Sequence, residues 1–592
     1  MLSHRLRCLP EWVPDVALDA LVLLVAGACL FWGLGGPPIR DNNEALYADI
    51  AWAMARGGSW IIPHLDGVPY IEKPPLLYWL MALSFKAFGV GTWQARLPDA
   101  LAAWLISAGC IAYGRHLGAR VAGRFAALVS GTALGLVLIA RTILFDPLML
   151  LLWLSALALT VLGVHQRRRG WLRAAAVPLA LATLTKGPEA LLLLGLIAVL
   201  QLLWAPGAWT RAALLRFYLD PWAIALFVLL VAPWHLAALH EQPGFAWFYF
   251  INETIMRFLG RRIPDDYHAG PWWYYGPRLL IGFFQWSALL ALLAWRSPRL
   301  QGQSGADLAL DSARWARNAA LVLTVFFSMA GNKGAYYLLP VVPLVAWWLG
   351  IKLQLAADQE VLPRLLPWLG GGAALFGVFA AVLGGVSLMP AVQAYWRQIG
   401  LPQAQFALLP ALIGGVALLG LLAGALLASG RLQAGLLALG LSGVVMVGFA
   451  TELDIAKTAD TSQKQVAATL HAVLPGGAAM FSWQTFEDHD ASLLLYGWRP
   501  LRVIDSTSAD LWFGCRHAPQ ASICVGPQAL VQARAQGQAV AVWVARSRLS
   551  SFLRSGLAFG LMRLNFRDSV VFYSPRRTHS TAPLPENPSP LP

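Results

Sequence analysis

With 592 residues, 58% of them hydrophobic, and a mean hydropathy of +0.58, the chain carries more apolar surface than a soluble protein of this size can enclose. Only 12% of residues are charged, and the net charge of +14 lies mostly in short linkers between apolar runs, which argues against a nucleic-acid-binding face. The five cysteines include no CxxC pair, which excludes zinc ribbons and dithiol redox motifs. Cys515 and Cys524 stand close together in the polar tail and either form a disulfide or remain free thiols.

In chain order, Arg5 and Arg7 precede an apolar run at 16–34 that is long for a signal peptide and lacks an A-x-A site. It reads as an uncleaved first span with a cytoplasmic N-terminus. The apolar runs give about 13 spans: 16–36, 94–114, 121–140, 144–164, 174–187, 190–204, 221–240, 278–295, 318–331, 335–351, 366–388, 406–428 and 434–450. Basic residues fall on alternate linkers (Arg115, Arg120 and Arg124; Arg167–Arg169 and Arg173; Arg211 and Arg216; Arg296, Arg299, Arg314 and Arg317; Lys352 and Arg364), which sets a consistent inner face. Loops 37–93 and 241–277 are then outer loops, and an odd span count puts the C-terminal region outside as well.

The sequence therefore divides into a membrane domain over 1–451, a small extracytoplasmic α/β domain over 452–575 with β-rich runs at 539–545 and 569–574, and a Pro-rich, disordered tail over 576–592. Within the first outer loop, residues 42–56 read as an amphipathic helix lying on the bilayer surface. The 27 Trp residues, Trp272 and Trp273 among them, suit an interfacial belt.

No GxxxxGK[ST], HExxH or GxSxG is present, so nothing marks an NTPase, a zincin or an α/β-hydrolase. What remains is a set of ionisable residues at the outer ends of spans, functional candidates by default near lipid. Asp41 and Glu44 suit either helix capping or a base for an acceptor hydroxyl. Glu72 and Lys73 are either interfacial anchors or ligands, Lys73 for a phosphate and Glu72 for a metal or a sugar hydroxyl. Arg141 and Asp146 bracket a short outer turn and suit a structural ion pair. Lys186 and Lys333 read singly as snorkelling anchors. Together with Lys73 and Arg257 on one face they favour an anion site. His268 is a weaker candidate.

Several ordered motifs, NNEALYADIA, GVPYIEKPPLLYW, ARTILFDP, LTKGP, INETIMRFLGRR with HAGPWWYY, and FFSMAGNKGAYYLLPVVP, resemble those of bacterial membrane glycosyltransferases of the protein O-mannosyltransferase superfamily, including the lipid A aminoarabinose transferases. The resemblance runs over about residues 38–350 and implies a GT-C-like polytopic helical fold. It implies an inverting inner-membrane transferase that uses a polyprenyl-phosphate-linked sugar, with lipid A or another envelope glycan, lipid or protein as acceptor. Carried over by motif, Tyr70, Lys73, Arg257 and Tyr337 would contact the lipid phosphate, Glu72 would sit at the metal or donor site, and Asp146 would belong to the catalytic cavity. Two departures stand out. Asn43-Glu44 replaces the family's Asp-Glu, leaving the base open between Asp41, Glu44 and neither. Thr254 follows Glu253 where the aminoarabinose transferases have His, which removes a ligand for a divalent metal; His268 is the candidate replacement. No nucleotide is needed outside the membrane, because the donor arrives already activated. A flippase of lipid-linked sugars is the alternative, but it would place polar groups at mid-membrane within internal repeats, and neither is evident. A non-catalytic assembly subunit would have lost the motif acids, and most are present.

Overall fold

The computed structural model describes residues 15–203, 209–265, 270–298, 307–398, 401–458, 463–486, 490–518 and 523–574; His268 lies outside them. The chain is a multi-pass α-helical membrane protein with a small sheet domain at its C-terminal end. The helices are α1 (Asp15–Phe31), α2 (Asn43–Ala55), α3 (Leu76–Phe88), α4 (Thr92–His116), α5 (Arg120–Thr132), α6 (Leu134–Ala140), α7 (Phe145–Gln166), α8 (Arg169–Lys186) and α9 (Glu189–Leu203). They continue as α10 (Arg211–Tyr218), α11 (Pro221–Glu241), a π-helix (Trp247–Met256), α12 (Tyr275–Phe283), α13 (Ser287–Arg296), α14 (Leu308–Met329), α15 (Val341–Asp358), α16 (Leu362–Ser387), α17 (Pro390–Gln398), α18 (Gln405–Ala428) and α19 (Leu432–Thr458).

Every expected span falls on a helix, but the count of about 13 is not reproduced by length and apolarity. Among the described residues eight helical segments are long and apolar enough to cross a membrane, or nine if α5 and α6, bent by 58° at their junction, form one span. The remainder are short, such as α9 with 15 residues, or carry ionic turns, such as α14 with Asp311, Arg314 and Arg317. Small residues allow close helix contact. A Cβ on Gly377 of α16 would lie 2.6 Å from the backbone of Leu421 in α18, so neither helix could keep its place with a larger residue there.

At the basic ends of the helices, acids neutralise the linkers. Asp15 and Asp19 of α1 pair with Arg115, Arg120 and Arg124, and Asp220 pairs with Arg169 and Arg173.

The opposite ends carry the first polar loop and the C-terminal domain. A tight hairpin, β1 (His64–Leu65) and β2 (Val68–Pro69), turns through Asp66 and Gly67, whose φ angles of 45° and 90° are the left-handed values that an Asp-Gly turn accommodates. The C-terminal domain is a six-stranded mixed sheet of β3 (Ala479–Trp483), β4 (Leu501–Ile504), β5 (Cys524–Val525), β6 (Val540–Ala545), β7 (Met562–Asn565) and β8 (Ser569–Tyr573), ordered β5-β4-β3-β6-β8-β7. The β5-β4-β3-β6 half is parallel, and β8 and β7 close the edge antiparallel. The completely buried runs at 540–545 and 569–573 are the β-rich segments read from sequence. Cys515 and Cys524 are disulfide-bonded.

The helix at 42–56 is not the one-faced surface helix expected. Most of α2 is buried, Glu44 and Asp49 included, because α3 covers one side and the C-terminal domain the other. Asn42, at φ 70°, is its N-cap and accepts from Asn43 N. Asp41 instead accepts from Ser492 N at 2.9 Å, Asp49 pairs with Arg499, and Asp66 accepts from Leu501 N at 2.8 Å. Three acids of the first loop therefore hold the C-terminal domain.

Glu44 has a different partner. Its two oxygens accept from Arg96 Nε and Nη2, both at 2.9 Å, and also from Ile143 N and Arg40 N. Arg96, only 2% exposed, completes its fork on the carbonyls of Leu34, Pro37 and Pro38. Burial alone would raise the Glu44 pKa, but Arg96 and Arg40 outweigh it and hold the carboxyl below its ordinary value. A depressed folded-state pKa contributes stability above the unfolded value of 4.5 that is lost as pH falls through the folded one. Glu44→Gln should thus cost about 3–5 kcal/mol at neutral pH, the penalty for breaking a buried pair. Thermal unfolding of purified protein should show the gap to wild type closing below pH 4.5.

Candidate active site

Four segments converge on one ionic cluster. Lys73 ends the loop after β2, held by Pro74-Pro75 at the entrance to α3. Asp146 lies in the first turn of α7, where an acid suits the helix dipole. The turn before it is fixed by two acids from elsewhere, with Ile143 N donating to Glu44 and Leu144 N to Asp99 at 3.1 Å. Lys186 is the last residue of α8, again matching the dipole, and Gly187 follows at φ 94°. The π-helix Trp247–Met256 carries Glu253, and Arg257 follows it. Asn252 folds the succeeding segment back by donating to Ile263 O (2.7 Å) and accepting from Ile263 N (2.8 Å), which returns Arg262 to Glu253. A π-turn is a recurrent device where a helix must present a functional group off its regular register.

The pairing within the cluster is specific. Arg262, its side chain completely enclosed, bridges Glu72 (2.6 Å) and Glu253. Arg257 Nη1 donates to the other oxygen of Glu253 at 2.7 Å, and Lys73 Nζ stands 3.9 Å from that oxygen. Lys186 Nζ lies 2.8 Å from Asp146 and 3.3 Å from Glu189, and 4.8 Å from the centre of the Tyr337 ring. The accessible cations are Lys73 and Arg257, with side chains 17% and 22% exposed, against 0% for Arg262. Burial first, then the charges of Arg257 and Lys186, lowers the Lys73 pKa against the pull of Glu253 and Glu72. The cations are thus held close to one another by the carboxylates between them.

Of the residues singled out from sequence, Tyr70, Glu72, Lys73, Asp146, Lys186, Arg257 and Tyr337 are brought together. Asp41 and Glu44 have the partners described above. Lys333 donates to the carbonyls of Phe327, Ser328 and Ala330 and so closes the end of α14. Arg141 is not paired with Asp146. It donates to Cys29 O, Leu30 O and Thr451 Oγ1, while Asp146 takes Lys186. Four members were missed: Glu189, Glu253, Arg262 and Asp510, which accepts from Tyr70 Oη at 3.0 Å. Glu189 sits three residues after Lys186, a signal the sequence offered. Arg262 was visible as the second of the Arg pair in LGRR. Nothing local marks Asp510.

Among the described residues, the donor set at Glu72 does not fit a divalent metal. The position between Glu72 and Glu253, the two carboxylates that would share a cation, is filled by the Arg262 guanidinium.

An apolar groove of about 780 Å³ opens between α9 and α14. Leu196, Leu200, Leu321 and Val325 line it, with Arg314 and Arg317 at one end and Phe326 and Met329 at the other. Phe326 stacks on Phe258, the residue after Arg257.

Arg262 and Lys73 should separate on substitution. Arg262→Met leaves two buried carboxylates without their shared cation and should lower stability by about 3–5 kcal/mol. Lys73→Met removes a repelled, partly exposed charge and should leave the unfolding temperature unchanged or raise it. Thermal unfolding of the two variants side by side checks the contrast.

The family model described as dolichyl-phosphate-mannose-protein mannosyltransferase matches residues 72–236. The undecaprenyl phosphate-alpha-4-amino-4-deoxy-L-arabinose arabinosyl transferase 2 of Pseudomonas fluorescens is 30% identical over 60% of this chain and 62% of its own length. The corresponding transferase of Pectobacterium carotovorum is 30% identical over 63% and 66%. The chain thus spans about three-fifths of the length of these curated relatives. The crystal structure of ArnT from Cupriavidus metallidurans bound to undecaprenyl phosphate superposes with a TM-score of 0.76 at 21% identity, covering 95% of this chain and 98% of that one. The apo form superposes with a TM-score of 0.75. The chain has the ArnT fold, and in sequence it is similar to the aminoarabinose transferases and to the mannosyltransferase family, the resemblance its motifs carry.

Proposed function

We propose that this protein is an inverting glycosyltransferase. It moves a sugar, aminoarabinose-like or a hexose, from a polyprenyl-phosphate donor to lipid A or another envelope acceptor at the periplasmic face of the bacterial inner membrane. The observation that carries this reading is the convergence of Lys73, Lys186 and Arg257, with Tyr337, on one ionic cluster. Such cations suit a phosphate, and the apolar groove between α9 and α14 suits a long apolar chain. The basic helix ends opposite the cluster support a cytoplasmic N-terminus, and the Cys515–Cys524 disulfide supports a periplasmic C-terminal domain. The names of the relatives support the transferase reading, and the flippase alternative gains no support from them.

In this mechanism Lys73, Arg257 and Lys186 bind the phosphate, assisted by the Tyr337 hydroxyl, while the Tyr70 hydroxyl is given to Asp510. An acceptor oxygen forms the new bond to the anomeric carbon from the face opposite the phosphate. The bond from that carbon to the phosphate oxygen breaks, and the electron pair leaves on the polyprenyl phosphate. The cations stabilise the charge that develops there. The Asp146 carboxylate is the base that receives the proton of a hydroxyl acceptor; an acceptor phosphate is already ionised and needs none. Glu72 acts through Arg262 to hold the cation wall. Asp41, Glu44 and Lys333 are scaffold residues.

Mass spectrometry of lipid A and polyprenyl-phosphate sugars from cells with and without the protein tests the reading. A sugar missing from the acceptor, with its lipid-linked donor accumulating, is expected, and Lys73→Ala at matched expression should reproduce it. An unchanged glycan profile would overturn the reading. In vitro the pH profile carries a second mark. Lys73 must be protonated to hold phosphate and its pKa is lowered, so the donor KM should rise with pH below the usual lysine value of 10.5. Lys73→Arg should flatten that rise.

A further inference from the structure

The C-terminal domain meets both arms of the ionic cluster through one short helix, Trp512–His517. The Cys515–Cys524 disulfide fastens this helix to the edge strand β5. Gly514 crosses β2 so closely that a Cβ there would stand 2.6 Å from Pro69 O and 2.8 Å from Val68 Cγ2. Tyr70, the next residue of the first loop, donates to Asp510 just ahead of the helix, and Glu72 and Lys73 follow it. Phe513, the neighbour of Gly514, turns to the other arm. Its ring centre lies 4.7 Å from that of Phe248 on the π-helix, and Trp512 stacks on the same ring at 6.1 Å. His517 approaches Gly244, just before the π-helix, where a Cβ would stand 2.9 Å from Nε2.

Phe513 and Phe248 are 3% and 1% exposed and share one apolar cluster with Ile71, Leu184 and Trp234. Ile71 precedes Glu72 and Lys73, Leu184 lies two residues before Lys186, and Phe248 shares the π-helix with Glu253, ahead of Arg257. The three segments that bring the cations therefore anchor in the same packing, and the C-terminal domain supplies Phe513 to it. Side chains at interior density move together, because a gap between them forfeits their contacts. The register of the first loop on the π-helix is also what sets Lys73 Nζ 3.9 Å from the Glu253 oxygen that holds Arg257. We propose that Phe513 is a positioning residue of the transfer site: through this apolar cluster it keeps the first loop and the π-helix in register, so that the C-terminal domain sets the spacing of Lys73 and Arg257. The inference rests on the transferase reading for what the cations bind, and it gives the C-terminal domain a part in donor affinity.

The test compares Phe513→Leu with Phe552→Leu in the full-length protein in detergent–lipid micelles. Phe552 is completely buried in the same domain but packs with Trp483 and Phe572 in a separate apolar cluster. Both variants empty the same volume and should lower the unfolding temperature. Only Phe513→Leu should weaken binding of undecaprenyl phosphate, by about tenfold, and raise the donor KM equally while kcat stays within about twofold. Hydrogen exchange in the ligand-free protein should quicken at 68–73 and 247–256 in Phe513→Leu and not in Phe552→Leu. Phe248→Leu should reproduce the loss, and the double variant with Phe513→Leu should lose no more than either alone, because the two act through one contact. Gly514→Ala, which pushes on Pro69 instead of emptying the cluster, should weaken binding likewise and is the readout should Phe513→Leu fail to fold; wild-type binding by Gly514→Ala would then overturn the inference. Equal losses in Phe513→Leu and Phe552→Leu, unaltered binding in Phe513→Leu, or full additivity in the double variant would overturn the role of Phe513. Wild type that binds no undecaprenyl phosphate would overturn the transferase reading instead, and the exchange comparison would still decide the positioning role.

Discussion

The site depends on one buried guanidinium. Ions cannot be taken out of water near a bilayer unless each is paired and its remaining hydrogen-bonding capacity is used. Arg262 meets that condition for two acids at once, reaching Glu72 from the first loop and Glu253 from the π-helix. The same contact ties together loops separated by 190 residues of chain. With Glu253 anchored on one oxygen by Arg262, its other oxygen is free to orient Arg257 and to draw in Lys73. The exposed cations are thus positioned by charges that are not themselves exposed. On the proposed reading, a phosphate entering the site would meet cations already in place, at little cost in reorganisation.

Much of this was legible in the sequence because ionisable residues are rare in it. In a chain that is 12% charged, Lys73, Asp146, Lys186 and Arg257 stood out at the ends of apolar runs, and they do meet. What the pattern could not supply was the pairing. Glu44 and Asp146 looked alike as acids at helix starts, yet Glu44 is held by a buried arginine fork from α4 and Asp146 by Lys186 at the cluster. Lys333 resembled Lys186, each beside a glycine at the end of a helix. One turns back on three carbonyls, and the other reaches the cluster.

The acids of the first loop show the same limit from another direction. Their density suggested chemistry, but Asp41, Asp49 and Asp66 hold Ser492, Arg499 and Leu501. The helix between them was read as a surface helix because its partner lies more than 400 residues along the chain. Periodicity describes what an element could bury, not what arrives to cover it. Asp510 was invisible for the same reason, since its partner Tyr70 is 440 residues away.

These contacts divide the site between two parts of the chain. The stretch that matches the mannosyltransferase family model, residues 72–236, contains Lys73, Asp146 and Lys186, which serve the phosphate and the reacting carbon on the proposed reading. Asp510 lies outside it, on a domain fastened by the first-loop acids. A phosphate is common to every lipid-linked donor, so the residues that bind it have little room to vary. A contact supplied by a separate domain can change without replacing any of the cations. Docking through Asp41, Asp49 and Asp66 then does more than attach the domain: it sets Asp510 against Tyr70, two residues from Glu72.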